Sequence, residues 1–152
     1  MVDTLKRPRT AHKPKTDAKA KVVAVDHMVI RVGDYKKSKQ FYSRLFEFLG
    51  FDVMDEYADM MGWRNDVTRF WIAAAKPGAR KFHEGDVGFH HYAFELRGRQ
   101  DIDNLQSFLH DMGAEIVDPA GEYYEDYYAV YFRDPDGMKL EAMTYGAGHP
   151  DA

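Results

Sequence analysis

The chain has 152 residues, 45% of them hydrophobic and 14% aromatic, enough to bury one ordinary core or two small modules packed together. It contains no cysteine, which excludes disulfides and thiolate ligands and leaves nitrogen and oxygen as the donors for any metal. The net charge of −4 divides unevenly: residues 1–21 hold seven Lys or Arg against Asp3 and Asp17, which leaves the remainder at −9 and argues against nucleic acid as the main ligand.

Residues 1–21, rich in Lys, Pro, Thr and Ala, hold too little apolar surface to offset the entropy of ordering, and a disordered basic tail is expected. No apolar run approaches the roughly 20 residues that cross a bilayer, so no membrane span is expected. The first residues are basic rather than apolar, so no secretory signal is expected either, and the chain reads as soluble and cytoplasmic. Residues 22–146 read as a single domain of two modules, 22–75 and 88–146, joined by a linker over 76–87 and followed by a short tail, 147–152.

In the first module the β-branched run Val22 to Val32 predicts a strand, and Gly33-Asp34 supplies a helix N-cap. Phe41, Leu45, Phe48 and Leu49 recur at spacings of three and four, the mark of an amphipathic helix that stops at Gly50. Strands are expected over Phe51 to Tyr57 and Val67 to Ala75, with a short one at Met60 to Trp63. The second module repeats the plan, with a strand from Gly88 to Arg97 and a helix from Asp101 to Met112. Further strands follow near Glu115 to Asp118, Tyr127 to Arg133 and Met138 to Tyr145. Asp134-Pro135-Asp136-Gly137 joins the last two as a turn, with proline fixing φ and glycine accepting positive φ. His27 stands 23 residues before Gly50 and His91 stands 22 before Gly113, so one βαβββ unit is used twice. The fold class is α+β.

Side chains on a strand alternate between faces. Met28, Ile30 and Val32, like Tyr92, Phe94 and Leu96, form the apolar faces expected to meet the helices. His27 and His91 then point the other way, and Glu141, between Leu140 and Ala142, can join them. Two imidazoles and a carboxylate suit a divalent first-row ion and leave positions free for substrate. Strand alternation lets only one of His90 and His91 reach such an ion; the repeat register favours His91 and leaves His90 at the rim of a pocket. Tyr131 is expected across the hairpin from Glu141, where its phenol can donate a hydrogen bond or relay a proton. Tyr128 and Trp71 are candidates for the pocket wall. Arg31 and Glu95 share the face of the histidines, either as an ion pair or as substrate contacts.

His27-Met28-Val29-Ile30-Arg31-Val32, Ser38 with Phe41-Tyr42, His91-Tyr92-Ala93-Phe94, and Asp134-Pro135-Asp136-Gly137 with Lys139-Leu140-Glu141 together resemble the vicinal oxygen chelate superfamily. That group includes glyoxalase lyases, bleomycin-resistance proteins, fosfomycin-resistance thiol transferases and extradiol dioxygenases. The resemblance covers about residues 24 to 146. It implies two βαβββ modules in a curved mixed sheet around a central cavity, with His27, His91 and Glu141 on the positions of the metal ligands and one ion of Fe, Mn, Ni, Co or Zn between them. It also implies a small-molecule substrate bound through adjacent oxygens, and a homodimer in which His27 can serve a site completed by His91 and Glu141 of another subunit.

One departure bears on the reaction. The lyases take a fourth ligand, Glu or Gln, from the last strand of the first module, which here reads Val67-Thr68-Arg69-Phe70-Trp71-Ile72-Ala73-Ala74-Ala75. Without it the reading leans to dioxygenase chemistry, with lyase or isomerase chemistry close behind. The rival from another class is a metal-free drug-binding protein of the bleomycin-resistance type; a third reading, thiol transfer to an antibiotic, asks for a cationic cluster near the metal for a phosphonate, and the sequence offers none close to Glu141.

Overall fold

The structure is a computed structural model, and it describes residues 20–149. The expected tail therefore lies largely outside the described residues, as do the last three positions. Strand β1 (His27–Val32) leads into helix α1 (Tyr35–Phe48) and strands β2 (Asp52–Glu56), β3 (Met60–Arg64) and β4 (Arg69–Ala74). Strand β5 (His91–Glu95), helix α2 (Arg99–Asp111) and strands β6 (Glu115–Tyr124), β7 (Tyr127–Arg133) and β8 (Lys139–Tyr145) repeat that order. Each unit folds into one four-stranded mixed sheet, β1-β4-β3-β2 and β5-β8-β7-β6, so the repeat in sequence is a repeat in topology. No described helix is long and apolar enough to cross a membrane.

Local chemistry accounts for the helices. The Asp34 carboxylate accepts from the Lys37 amide at 3.0 Å and caps α1, whose buried face is Ser38, Tyr42, Leu45 and Phe46. Gly50 takes φ +77° just past its end and Gly113 takes φ +73° past α2, conformations that suit glycine. Helix α2 has no side-chain cap at Gly98 and buries Ile102, Leu105 and Leu109.

Several strand boundaries differ from expectation: β5 runs His91–Glu95 where Gly88 to Arg97 is expected, β4 begins at Arg69 instead of Val67, and β1 and β6 differ further. Strand β1 begins at His27, where its parallel partner β4 begins at Arg69; Val22, Val23 and Val25 have β propensity but no strand to pair with, and stay exposed. Strand β6 runs to Tyr124 instead of ending near Asp118. It is the edge of its sheet, where Pro119 has no ladder partner to disappoint, and irregular register absorbs the segment through Gly121.

The modules share one core. Phe94 of β5 lies 6.0 Å from Phe46 and 6.2 Å from Phe70 between ring centres, inside the aromatic layer under α1. Phe48 of α1 stacks on Phe108 of α2 at 4.2 Å. The helix-side faces of both sheets thus face inward together, and the opposite faces, which carry His27 and His91, stay open.

Candidate metal centre

Glu141 is the centre of the site. It sits mid-strand in β8, between Leu140 and Ala142 that enter the core, so alternation turns its carboxylate to the open face. Tyr131 stands opposite it across β7 and Ala93 across β5. Although it is on the open face, Glu141 is 2% exposed, because His91 and the surrounding tyrosines cover it.

Two groups grip its oxygens. His91 Nε2 lies 3.1 Å from Oε2, and the Tyr127 hydroxyl donates to Oε1 at 2.5 Å. On the far side of the imidazole, His91 Nδ1 lies 2.6 Å from His90 Nδ1. His90 precedes β5 and escapes strand alternation, which is how two neighbouring rings meet. Burial first, and then the Glu141 carboxylate, hold the Tyr127 and Tyr131 phenols well above their ordinary pKa, so both remain O–H donors.

The pair fits a divalent cation. Metal bonds of about 2.0–2.2 Å meeting near a right angle separate their donor atoms by about 3 Å, and the His91–Glu141 gap is 3.1 Å. Burying a carboxylate without a positive partner is expensive. Among the described residues, Glu141 forms no ion pair with Lys or Arg.

His27 lies elsewhere. It starts β1 on the open face of the first sheet, with Nδ1 2.8 Å from Asp26 Oδ2, and Asp26 also meets Arg69. The hydrogen bond from His27, ahead of the Arg69 charge, holds the Asp26 carboxyl below the usual range. His27 lines a cleft of about 530 Å³ with Glu95 and Arg97, at the other end of β5 from His91. Four strand residues span about 13 Å. Among the described residues no three of His, Asp or Glu gather as a metal cluster within one chain.

The remaining sequence candidates divide by strand parity. Tyr131 is beside Glu141, and its ring meets Tyr123 edge-on at 5.3 Å. Trp71 pairs with Val29 and Gly62 on the open face of the first sheet, the face of His27. Tyr128 is on the helix side, donating to Asp103 of α2 at 2.7 Å, so it cannot line this pocket. Tyr127, which sequence places only within the tyrosine-rich stretch Glu122 to Tyr128 and gives no role of its own, takes that place. Arg31 donates to the Ala74 carbonyl and Glu95 bonds His149, so they do not pair with each other.

Comparison with known proteins identifies the family and agrees with the fold. Residues 24–142 match the family model described as Glyoxalase/Bleomycin resistance protein/Dioxygenase superfamily. A metallothiol transferase, FosB, of Bacillus licheniformis is 26% identical over 124 residues, 82% of this chain and 77% of its own length. The uncharacterized protein YqjT of Bacillus subtilis is 25% identical over 123 residues, 78% of this chain and 96% of its own. In fold, the chain resembles the crystal structure of a glyoxalase from Bacillus halodurans with a TM-score of 0.69 at 22% identity, covering 78% of this chain and 93% of that one.

Proposed function

The chain belongs to the Glyoxalase/Bleomycin resistance protein/Dioxygenase superfamily, and from that premise we propose that it is a metal-dependent enzyme acting on a small oxygen-bearing molecule. His91 and Glu141 of one subunit and His27 of a second would hold one divalent ion. The carrying observation is the buried Glu141 carboxylate facing His91 Nε2 at 3.1 Å. A bound cation supplies Lewis acidity toward adjacent oxygens of the substrate, worth several kcal/mol where negative charge develops.

The chain's own residues do the rest. Tyr131 offers an O–H donor beside Glu141, suited to a substrate oxygen that gains charge. Tyr123, Tyr124, Tyr127 and Tyr145 extend an aromatic wall around it, with Tyr124 and Tyr145 exposed at its outer edge. No carboxylate or amide on β4 stands ready to move a substrate proton, since that strand reads Arg69-Phe70-Trp71-Ile72-Ala73-Ala74. Nucleophilic addition of a thiol is therefore the reaction preferred here, and the metallothiol transferase relative supports it. Oxygen insertion, which asks for the same open ligand set, is the rival reaction.

The test is metal content and reaction class together. Protein purified without added ions and then loaded with Mn²⁺ should bind one ion per chain, and Glu141→Gln should lose it. With an electrophilic substrate such as an epoxide, the loaded protein should consume thiol; oxygen uptake by an Fe²⁺-loaded sample would replace transfer with oxygenation. A wild-type protein that takes up no metal but binds aromatic molecules would favour the sequestering reading, for which the tyrosine wall is the supporting observation.

A further inference from the structure

We infer that His90 and Tyr127 are positioning residues that fix the donor atoms of the His91–Glu141 pair by holding the opposite atom of each side chain. This rests on the metal reading above. Four side chains form one line of contacts: His90 Nδ1 to His91 Nδ1 at 2.6 Å, His91 Nε2 to Glu141 Oε2 at 3.1 Å, and Glu141 Oε1 to the Tyr127 hydroxyl at 2.5 Å. The middle contact joins the two atoms that would take the cation. The outer two engage the atoms that would not.

Imidazole chemistry gives His90 its task. A ring that coordinates through Nε2 carries its proton on Nδ1, and a partner that accepts this proton fixes both tautomer and orientation. Among the described residues, only His90 Nδ1 stands within hydrogen-bond reach of His91 Nδ1. Without a cation the pattern reverses: His91 Nε2–H donates to Glu141 and His90 Nδ1–H donates to His91. On loading, His91 gives up the Nε2 proton to solvent and takes the Nδ1 proton from His90. His90, which is exposed, regains one from water at Nε2.

Tyr127 does the same for the carboxylate. By donating to Oε1 it leaves Oε2 as the single oxygen turned toward His91, and it opposes rotation of the carboxylate into a bidentate grip. The phenol is itself held by edge contacts with Tyr124 at 5.8 Å and Tyr145 at 5.4 Å.

The experiment combines zinc titration with ¹⁵N NMR of histidine-labelled protein in wild type, His90→Leu, His90→Gln, Tyr127→Phe and the control Tyr128→Phe. His90→Leu and Tyr127→Phe should each weaken zinc binding about 10- to 100-fold at unchanged stoichiometry and circular dichroism. Tyr128→Phe should match wild type, and His90→Gln, whose amide oxygen accepts, should recover part of the loss. In wild type the His91 proton should sit on Nε2 without zinc, where Glu141 accepts it, and on Nδ1 with zinc, where His90 accepts it. Unchanged zinc affinity in His90→Leu and Tyr127→Phe overturns the positioning roles and leaves the metal reading standing. If wild type takes up no zinc, the metal reading falls. In that case the positioning roles fall with it.

Discussion

Asp134 gathers hydrogen bonds from both modules onto one carboxylate. Its Oδ1 accepts from the Asp136 and Met138 amides at 2.9 Å each, while Oδ2 accepts from Tyr42 of α1 at 2.7 Å. Beside it, Asp136 accepts from the Gly33 amide at 3.0 Å, so a single turn fastens the second module to the first. Burial outweighs these bonds and pushes the Asp134 carboxyl up to about 6, against 3.8 for the ordinary group. Between those two values the folded chain binds a proton that the unfolded chain has already released. Stability then falls as pH rises through the window, by about 3 kcal/mol in all. Asp134→Asn keeps the shape and an acceptor oxygen, and its amide can donate to the Tyr42 oxygen, but it cannot titrate. Urea unfolding at pH 4 and pH 7 should show wild type losing stability across that range relative to the variant. Parallel curves for the two proteins would mean that Asp134 ionises in the native state as easily as in the unfolded one.

Pairs of elements in contact decide what a strand position tolerates, and Gly62 is the sharpest instance. A Cβ added there would meet the Trp71 indole at 2.5 Å, because β3 and β4 bring the two residues side by side. Gly62→Ala should cost about 1–3 kcal/mol through overpacking. Gly62→Ala with Trp71→Val should cost less than the two single changes added together, as a double-mutant cycle in urea can read. The elements themselves were legible where a local signal was enough: Asp34 as a cap, Gly50 and Gly113 as stops, and the Asp134–Gly137 turn are all read from short stretches. They were illegible where a partner decides the outcome, as at Val22–Val25, which no strand joins, or at β6, where an edge position tolerates Pro119. The site follows the same division. Alternation along β7 and β8 was enough to set Tyr131 across from Glu141, and it would also have put Tyr127, four residues from Tyr131, on that face and Tyr128 on the other. That His90 would turn onto His91 had no signal in sequence, since it depends on where β5 begins.

At the scale of the whole molecule, the shared core dictates where a complete donor set can form. Phe94, Phe46 and Phe70 bind the helix-side faces of the two sheets together, so the face bearing His27 and the face bearing His91 and Glu141 do not close on one another within a chain. Both faces remain accessible, with the His27 side chain 55% and the His91 side chain 33% exposed. β1 and β5 are each an edge strand of their sheet, and the proposed site divides between the two faces as two half-sites per chain. If two copies supply each other's missing half, ligand substitutions should complement across subunits. His27→Ala alone removes that imidazole from both sites of a dimer, and His91→Ala alone removes the other. In a mixed dimer, one site receives both mutated positions and the other receives neither. Co-expressing the two variants with different affinity tags and isolating the mixed dimer should therefore restore one bound ion per dimer, while each variant alone binds none. Metal-free mixed dimers, alongside wild type with a full complement, would put all three ligands on a single chain and require the two modules to separate and close again around the ion.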